Sequence, residues 1–326
     1  MPDAPVDSFG RSFSYLRLSV TEACNFRCLY CLPEGYQKSA GDPPLSIAEI
    51  RRLARGFVSM GFWKFRLTGG EATTRRDIVE IASAVAEIPG VRKLCLSTNG
   101  YRLLELARPL KEAGVCSINV SVDSLIPERF ARITGQDRLP AILSGIRLAL
   151  DLGLETKINV VMLQGLNDAE ISDFLSWTRN FPVTVRFIEL MRTGDNADLF
   201  GERHLSAGAV LSVLRGRGWS EEARRPGAGP ALIFRRPGHK GSAGVIAPYS
   251  QEFCQNCNRL RVTSRGALRL CLFAETDHSL RPWLQEDGQI EELKERIVSL
   301  LGLKKISHDL PAGRFGNARH LAMMGG

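Results

Sequence analysis

No run of about 18 uninterrupted apolar residues, the length a membrane-spanning helix needs, occurs anywhere in the 326 residues. A chain embedded in a bilayer is therefore not expected. The amino terminus, MPDAPVDSFG, lacks the basic start, apolar stretch and small-residue cleavage pattern of a secretion signal, and we expect a cytoplasmic protein. Disulfides are rare in that reducing setting, so the eight cysteines are expected to act as metal ligands or reactive thiols. Aromatic residues do not interleave with basic ones as a base-stacking platform requires. The net charge of +8 therefore asks for an anionic partner without designating nucleic acid. No repeat is found beyond strand and helix alternation, and no fused second enzyme is expected.

What is present is an ordinary globular composition, 44% hydrophobic and 24% charged, suited to one large domain with or without a smaller appendage. Short β-branched apolar runs alternate with longer segments of helical period. Strand candidates begin at Tyr15 (YLRLSV), Lys64 (KFRLT), Lys93 (KLCLST), Cys116 (CSINVSV), Thr156 (TKINVVM) and Val183 (VTVRFIEL). Between them lie SIAEIRRLARGFVSMG, DIVEIASAVAEI, RLLELARPLKEAG, LPAILSGIRLALDLG and DAEISDFLSWTRN. Ser46 followed by Glu49 has the form of a capping box, and Gly61, Gly90, Gly114 and Gly153 fall at or just past helix ends. Such alternation implies parallel strands joined by right-handed crossovers. It provides too few units for a full eightfold barrel, which leaves a partial barrel or a doubly wound sheet.

Polar residues at the carboxyl ends of the strands favour the barrel, because there the chemistry gathers at those ends. The successive ends carry Thr21 and a cysteine loop, Thr68-Gly69-Gly70-Glu71, Ser97-Thr98-Asn99-Gly100, Ser121 with Asp123, Lys157 with Asn159, and Glu189-Leu190-Met191. Any one of them alone would pass for a turn that caps the next helix. We predict an α/β fold, a partial (β/α)6 TIM-type barrel over residues 13–222. A flexible segment, 1–12, precedes it, and residues 223–326 form a carboxyl-terminal region that closes the barrel mouth. Past Gly194 the alternation breaks down, RRPGAGP reads as an exposed loop, and ALIFRR and GVIAP are short strand-like pieces.

The cysteines fall into two groups of three. Cys24, Cys28 and Cys31 share the loop TEACNFRCLYC, and Cys254 and Cys257 in FCQNC are followed by Cys271. A cuboidal 4Fe-4S cluster has four corners, so three thiolates leave one open to something that reacts. The spacing of the second group also suits half of a zinc site. Cys95 and Cys116 lie within apolar strands and are expected to be small buried hydrophobes. Lys64 and Arg66, like Arg259 and Arg261, are two apart on strand-like runs, so each pair shares a face and can address one anion.

The three-cysteine loop, with Tyr30 before its last cysteine and Gly-Gly-Glu after the second strand, resembles the radical S-adenosylmethionine (SAM) superfamily. TEACNFRCLYCLPEG, FRLTGGE, STNGYRL, INVSVDSL, RITGQ, RFIELM, CNRLRV and a terminal Gly-Gly resemble, more narrowly, the GTP-cyclising family that opens molybdenum cofactor biosynthesis. The likeness runs from about Tyr15 to Gly326 and is weakest over 224–240. It implies two 4Fe-4S clusters, one on Cys24, Cys28 and Cys31 and chelating SAM, the other on Cys254, Cys257 and Cys271 and meeting the substrate guanine. It further implies SAM contacts at Tyr30, Gly70, Glu71, Ser121 and Met191, and GTP contacts at Arg17, Arg66, Ser97, Lys157, Arg259, Leu260 and Arg261. Ala72 stands where the family usually has proline, which should loosen the turn only slightly.

The resemblance implies a lyase in which a 5′-deoxyadenosyl radical takes hydrogen from the ribose 3′ carbon of GTP, and that carbon then joins carbon 8 of guanine. Implied partners are GTP, an electron donor such as flavodoxin or ferredoxin, and cyclic pyranopterin monophosphate synthase as recipient of the product. It implies neither nucleic acid nor membrane as partner, allows a homodimer, and lets Gly325 and Gly326 reach into the site. A radical SAM enzyme acting on a peptide and a zinc-containing nucleic-acid-binding protein are the alternatives.

Overall fold

The computed structural model describes residues 4–38, 41–224, 227–250 and 252–324. The strands predicted from periodicity are present as β1 (Tyr15–Ser19), β2 (Lys64–Thr68), β3 (Lys93–Thr98), β4 (Val115–Ser121), β5 (Glu155–Met162) and β6 (Thr184–Glu189). They pair in sequence order and in parallel. The carboxyl-terminal part adds β7 (Ser220–Glu221), β8 (Leu232–Arg235), β9 (Ser242–Ile246), β10 (Arg259–Val262), β11 (Ala267–Arg269) and β12 (His278–Ser279). β9 lies parallel beside β6 and β10 parallel beside β1, so eight contiguous strands, β10-β1-β2-β3-β4-β5-β6-β9, run the same way within one sheet. The outermost strands, β12 and β7, are not paired with each other. The barrel is therefore partial and open, as expected, but its carboxyl-terminal region contributes two of its parallel staves. Among the described residues no helix is long and apolar enough to cross a membrane.

Strand periodicity explains how this sheet separates core from site. Leu16 and Leu18, Phe65 and Leu67, Leu94 and Leu96, Ile118 and Val120, Ile158 and Val160, and Val185 and Phe187 all belong to the buried apolar cluster. They meet helices such as α1 (Ile47–Ser59), whose Ile50, Leu53 and Phe57 are buried and whose start carries the expected Ser46–Glu49 capping box. Successive side chains of a strand point to opposite faces. The residues between these apolar ones, Tyr15 and Arg17, Lys64 and Arg66, Asn119, Lys157 and Arg186 among them, face a cavity inside the curve of the sheet.

Several expectations are corrected. The described part of the segment before β1 is bonded into the fold: Val6 bridges Ser12, and Arg11, ion-paired to Asp7, is buried and bonded to the carbonyls of Cys254, Lys305 and Ile306. Cys116 is exposed rather than buried. The register steps from Leu94↔Val115 to Cys95↔Ser117, so Cys116 is the extra residue of a β-bulge and is left out of the ladder. Helices at Pro127–Thr134, Ala197–Arg203 and Ala207–Gly216 were not anticipated. The described part of the loop 224–230 is not simply exposed, because residues 227–230 are half-buried and line the cavity near Trp63 and Lys64.

The Gly-Gly-Glu turn is set by close packing. A Cβ on Gly70 would stand 2.4 Å from the Glu22 carbonyl oxygen and 2.6 Å from that of Ala23, and one on Gly69 would stand 2.4 Å from the Thr21 oxygen. The gap is closed by hydrogen bonds from Gly70 N–H to Thr21 O (3.0 Å) and from Glu71 N–H to Ala23 O (2.8 Å), which tie the second strand end to the cysteine loop. Gly70→Ala is expected to push the two loops apart at a cost of roughly 1–3 kcal/mol. A lowered melting temperature would record it.

Candidate active site

A cavity of about 680 Å³ fills the inside of the open barrel. A closed TIM barrel packs this space with apolar layers; here it is lined by charge. Strand register explains the grouping: Arg261, Arg17 and Arg66 are lateral neighbours on β10, β1 and β2. Ser97, Asn119 and Lys157 align across β3, β4 and β5, and Ser121, Asn159 and Arg186 across β4, β5 and β6. Arg186 was not anticipated from sequence, although its position in VTVRFIEL, between apolar residues of a strand, carries the same signal as Arg66. Its Nε and Nη2 are buried without a hydrogen-bond partner among the described residues. Gly244 leaves it room, since a Cβ there would stand 3.0 Å from Arg186 Cγ.

Cations crowded in a poorly solvated space perturb one another. Burial, then the Arg66 charge, holds Arg186 down to about 9, and burial lowers Arg17 to about 10. Tyr15 shows the same field from the other side. Burial raises its phenol, but Arg66, Arg17 and Lys64 outweigh burial and bring it down to about 7. Its oxygen accepts from Arg66 Nε at 2.6 Å. Lys157 is held by Glu155, which also pairs with Lys93. These two lysines overcome burial and draw the Glu155 carboxyl down to about 2. Such a concentration of positive charge is costly unless an anion joins it.

The opposite part of the cavity is acidic. Tyr30 donates its hydroxyl to Asp123 Oδ2 at 2.8 Å, and the Val161 N–H donates to Asp123 Oδ1 at 2.8 Å. Burial pushes Asp123 up to about 6 against both bonds. Glu71 is almost fully buried: its Oε1 accepts from the Thr73 N–H, the Thr73 hydroxyl and the Thr98 hydroxyl, while Oε2 accepts from the Asn99 N–H. A carboxylate has about four acceptor sites, so Glu71 first fixes its own turn and keeps little capacity for a ligand. The same bonds hold the turn at Ala72 in place of the restraint proline would give. The Asn196 side-chain amide donates to the carbonyls of Tyr30 and Met191, 3.0 Å each, joining the cysteine loop to the end of β6.

Cys24, Cys28 and Cys31 line the cavity together with Tyr30, Gly70, Glu71, Ser121 and Met191. Burial raises the Cys24 thiol to about 11 and the Cys31 thiol to about 12, and lifts Cys28 well above its usual value with Asp123, Cys31 and Cys24 adding to the effect. These three sulfurs feel one another's charge, and binding a metal would require them to lose their protons. Cys254, Cys257 and Cys271 do not themselves line the cavity, although their chain neighbours Phe253, Arg259 and Leu272 do. They too are mutually coupled. Burial raises Cys257, but Arg259, Lys304 and Arg11 outweigh it and bring that thiol down to about 7.

The donor chemistry fits two three-thiolate clusters. A zinc site gathers four ligands about 2.3 Å or less from one point, and no group of three or more His, Cys, Asp or Glu among the described residues forms a site for a single metal ion. Arg17, Arg66, Ser97, Lys157, Arg259 and Arg261 all line the cavity, as expected. Leu260 does not: strand alternation turns its side chain into the apolar core, so it can meet a ligand only through its main chain. The described chain ends in a turn, Leu321–Met324, where Leu321 and Ala322 line the cavity and offer backbone N–H groups to Cys31. Gly325 and Gly326 lie outside the described residues.

An open barrel whose first loop bears three cysteines beside an acidic pocket defines a radical SAM enzyme. The Radical SAM superfamily model matches residues 18–178, and the Molybdenum Cofactor Synthesis C model matches residues 183–310. Among solved structures the fold is similar to Streptococcus suis SuiB bound to S-adenosylmethionine, with a TM-score of 0.61 at 12% identity over 86% of this chain and 68% of that one. It is also similar to anSMEcpe with bound AdoMet and a peptide, with a TM-score of 0.54 at 14% identity over 88% and 83%. Curated GTP 3′,8-cyclases are much nearer in sequence: 52% identity over 98% of both chains for Stenotrophomonas maltophilia, and 48% over 98% of this chain and 95% of the other for Aeromonas hydrophila. The chain belongs to the GTP 3′,8-cyclase family.

Because Glu71 spends its acceptors on Thr73, Thr98 and Asn99, Glu71→Gln would turn an amide donor against an N–H donor. We expect a loss of about 1–3 kcal/mol in stability and weaker SAM binding. Thermal denaturation and equilibrium dialysis of SAM against the reconstituted protein measure the two effects.

Proposed function

We propose that the acidic and cationic halves of this cavity are the cofactor and substrate halves of one site, in an enzyme that cyclises GTP to (8S)-3′,8-cyclo-7,8-dihydroguanosine 5′-triphosphate. This is the first step of molybdenum cofactor biosynthesis. Cys24, Cys28 and Cys31 hold one 4Fe-4S cluster, and Cys254, Cys257 and Cys271 hold the other. Tyr30, Gly70, Glu71, Ser121 and Met191 surround SAM. Arg17, Arg66, Ser97, Lys157, Arg259 and Arg261, with the main chain at Leu260, hold GTP. When bound, the first cluster and SAM supply one-electron, hydrogen-abstracting chemistry.

The chain's own residues position the reactants. SAM carries a sulfonium and an ammonium, which suit the Glu71 and Asp123 end, and a triphosphate suits the arginines. That division of charge within one cavity is the observation that carries the reading. It also orients the nucleotide, since its phosphates are drawn to Arg17, Arg66 and Arg261 while its base is left toward the second cysteine group. The loop at 227–233 and the turn residues Leu321 and Ala322 line the site beside the sheet and reduce its exposure to water, which would quench a radical. A peptide substrate would not by itself explain the paired arginines next to the second cysteine group. Flavodoxin or ferredoxin as reductant, cyclic pyranopterin monophosphate synthase as recipient of the product, and a cytoplasmic location belong to the same proposal.

Anaerobic reconstitution followed by incubation with reductant, SAM and GTP deuterated at the ribose 3′ carbon tests it. Deuterium should appear in 5′-deoxyadenosine alongside a cyclised guanine nucleotide. Deoxyadenosine without deuterium and without altered nucleotide would refute GTP as substrate. In the Arg259→Leu/Arg261→Leu protein, GTP affinity should fall more than about tenfold, as expected for losing charge-assisted contacts, while SAM affinity stays within about twofold. Calorimetric titration of each ligand separates the two.

A further inference from the structure

Two buried cations flank the second cysteine group without lining the cavity. Arg11 comes from the amino-terminal segment and has three guanidinium nitrogens engaged. Nη1 donates to the carbonyls of Cys254 (3.0 Å) and Ile306 (2.7 Å), Nη2 donates to Lys305 O (2.8 Å), and Nε donates to Asp7 Oδ2 (2.7 Å). Asp7 is itself fixed by the N–H groups of Phe9 and Arg11, 3.0 Å each. Lys304, only 5% exposed, donates from Nζ to the carbonyl of Leu270, the neighbour of Cys271, and stands 5.3 Å from the centre of the Phe13 ring. One cation therefore grips each of the two chain segments that carry the trio.

The two differ in charge balance. Arg11 is ion-paired to Asp7, and what it adds beyond charge is mechanical: a planar fork holds the Cys254 segment to residues 305–306. Lys304 has no carboxylate partner among the described residues. An unpaired buried ammonium is costly, and a cluster on three thiolates is anionic. We infer that Arg11 and Lys304 are positioning residues of the second cluster, Arg11 bracing the loop that presents Cys254 and Lys304 setting the cluster's potential as its buried counter-charge. This rests on the reading of the second trio proposed above. A nearby positive charge favours the reduced, more negative state of a cluster and so raises its reduction potential.

The test uses full-length protein in which Cys24, Cys28 and Cys31 are serine, so that only the second cluster contributes. Lys304→Gln keeps a donor for Leu270 while removing the charge. Its midpoint potential should shift to more negative values, and Lys304→Arg should restore it. Arg11→Gln should lose most of the iron and the electron paramagnetic resonance signal, with no rescue by Arg11→Lys, which cannot form the fork. With the first trio intact, both charge-removing variants should still cleave SAM while cyclised nucleotide falls at least about tenfold, a loss of about 1.4 kcal/mol. If Arg11→Gln does not fold, Asp7→Asn, which removes the carboxylate that aligns the fork but keeps the guanidinium, should lose part of the iron. An unchanged potential in Lys304→Gln, or full iron in a folded Arg11→Gln or Asp7→Asn protein, overturns the inference. A protein with the second trio intact that holds no iron in the serine background would instead refute the reading of that trio.

Discussion

Charge held inside an open barrel is the constraint on which the rest of this structure depends. Strands β1 to β6 and β10 of the parallel sheet alternate apolar and polar side chains, and because the sheet never closes, the polar face has a cavity to line rather than a core to fill. Helix packing on the outer face stabilises the fold, while the inner face gathers arginines and lysines that no set of internal carboxylates balances. The perturbed Tyr15 phenol and the unpartnered Arg186 nitrogens are local signs of that imbalance. A protein that keeps such a face is one whose interior is completed by an anion.

The thiols show the same division from a different direction. In the first trio burial and the neighbouring Asp123 oppose thiolate formation, so as cluster ligands these thiols would ionise only on binding iron. Around the second trio Arg259, Lys304 and Arg11 already favour the thiolate at Cys257. Two clusters of the same ligand count would thus sit in opposite fields. An acidic surround suits a cluster that must hold a cationic sulfonium and pass it an electron. A cationic surround suits an anionic cluster set beside the base of a bound nucleotide. Charge placement, more than the cysteine spacing, distinguishes the two roles.

Much of this was legible in the sequence because the relevant signals are local. Period-two runs located β1 to β6, polar strand ends located the cavity, and the pairs Lys64/Arg66 and Arg259/Arg261 were each read as sharing a face. What escaped depends on partners distant in the chain. The bulge that exposes Cys116 is a property of the β3–β4 pairing rather than of either strand. Leu260 was grouped with its arginine neighbours by motif, although alternation alone would have turned it to the core. Arg11 stands in what reads as a loose leader, and its carbonyl partners are more than 240 residues away. The parallel placement of β9 and β10 likewise comes from a part of the chain where helix and strand no longer alternate.

The Gly-Gly-Glu turn shows why local economy and long-range order meet at this site. Gly69 and Gly70 are there because the carbonyls of the cysteine loop occupy the space a Cβ would need. Glu71 then anchors the turn from beneath, and its extended backbone at φ −132°, ψ 110° is the conformation a following proline would favour, although Ala72 follows. The restraint proline would impose covalently is supplied instead by four hydrogen bonds to one buried carboxylate. Those bonds run to Thr98 and Asn99 at the end of β3 as well as to Thr73 beside it. The turn that backs the cysteine loop is therefore held by the neighbouring strand, and a disturbance at either loop reaches the other through Glu71.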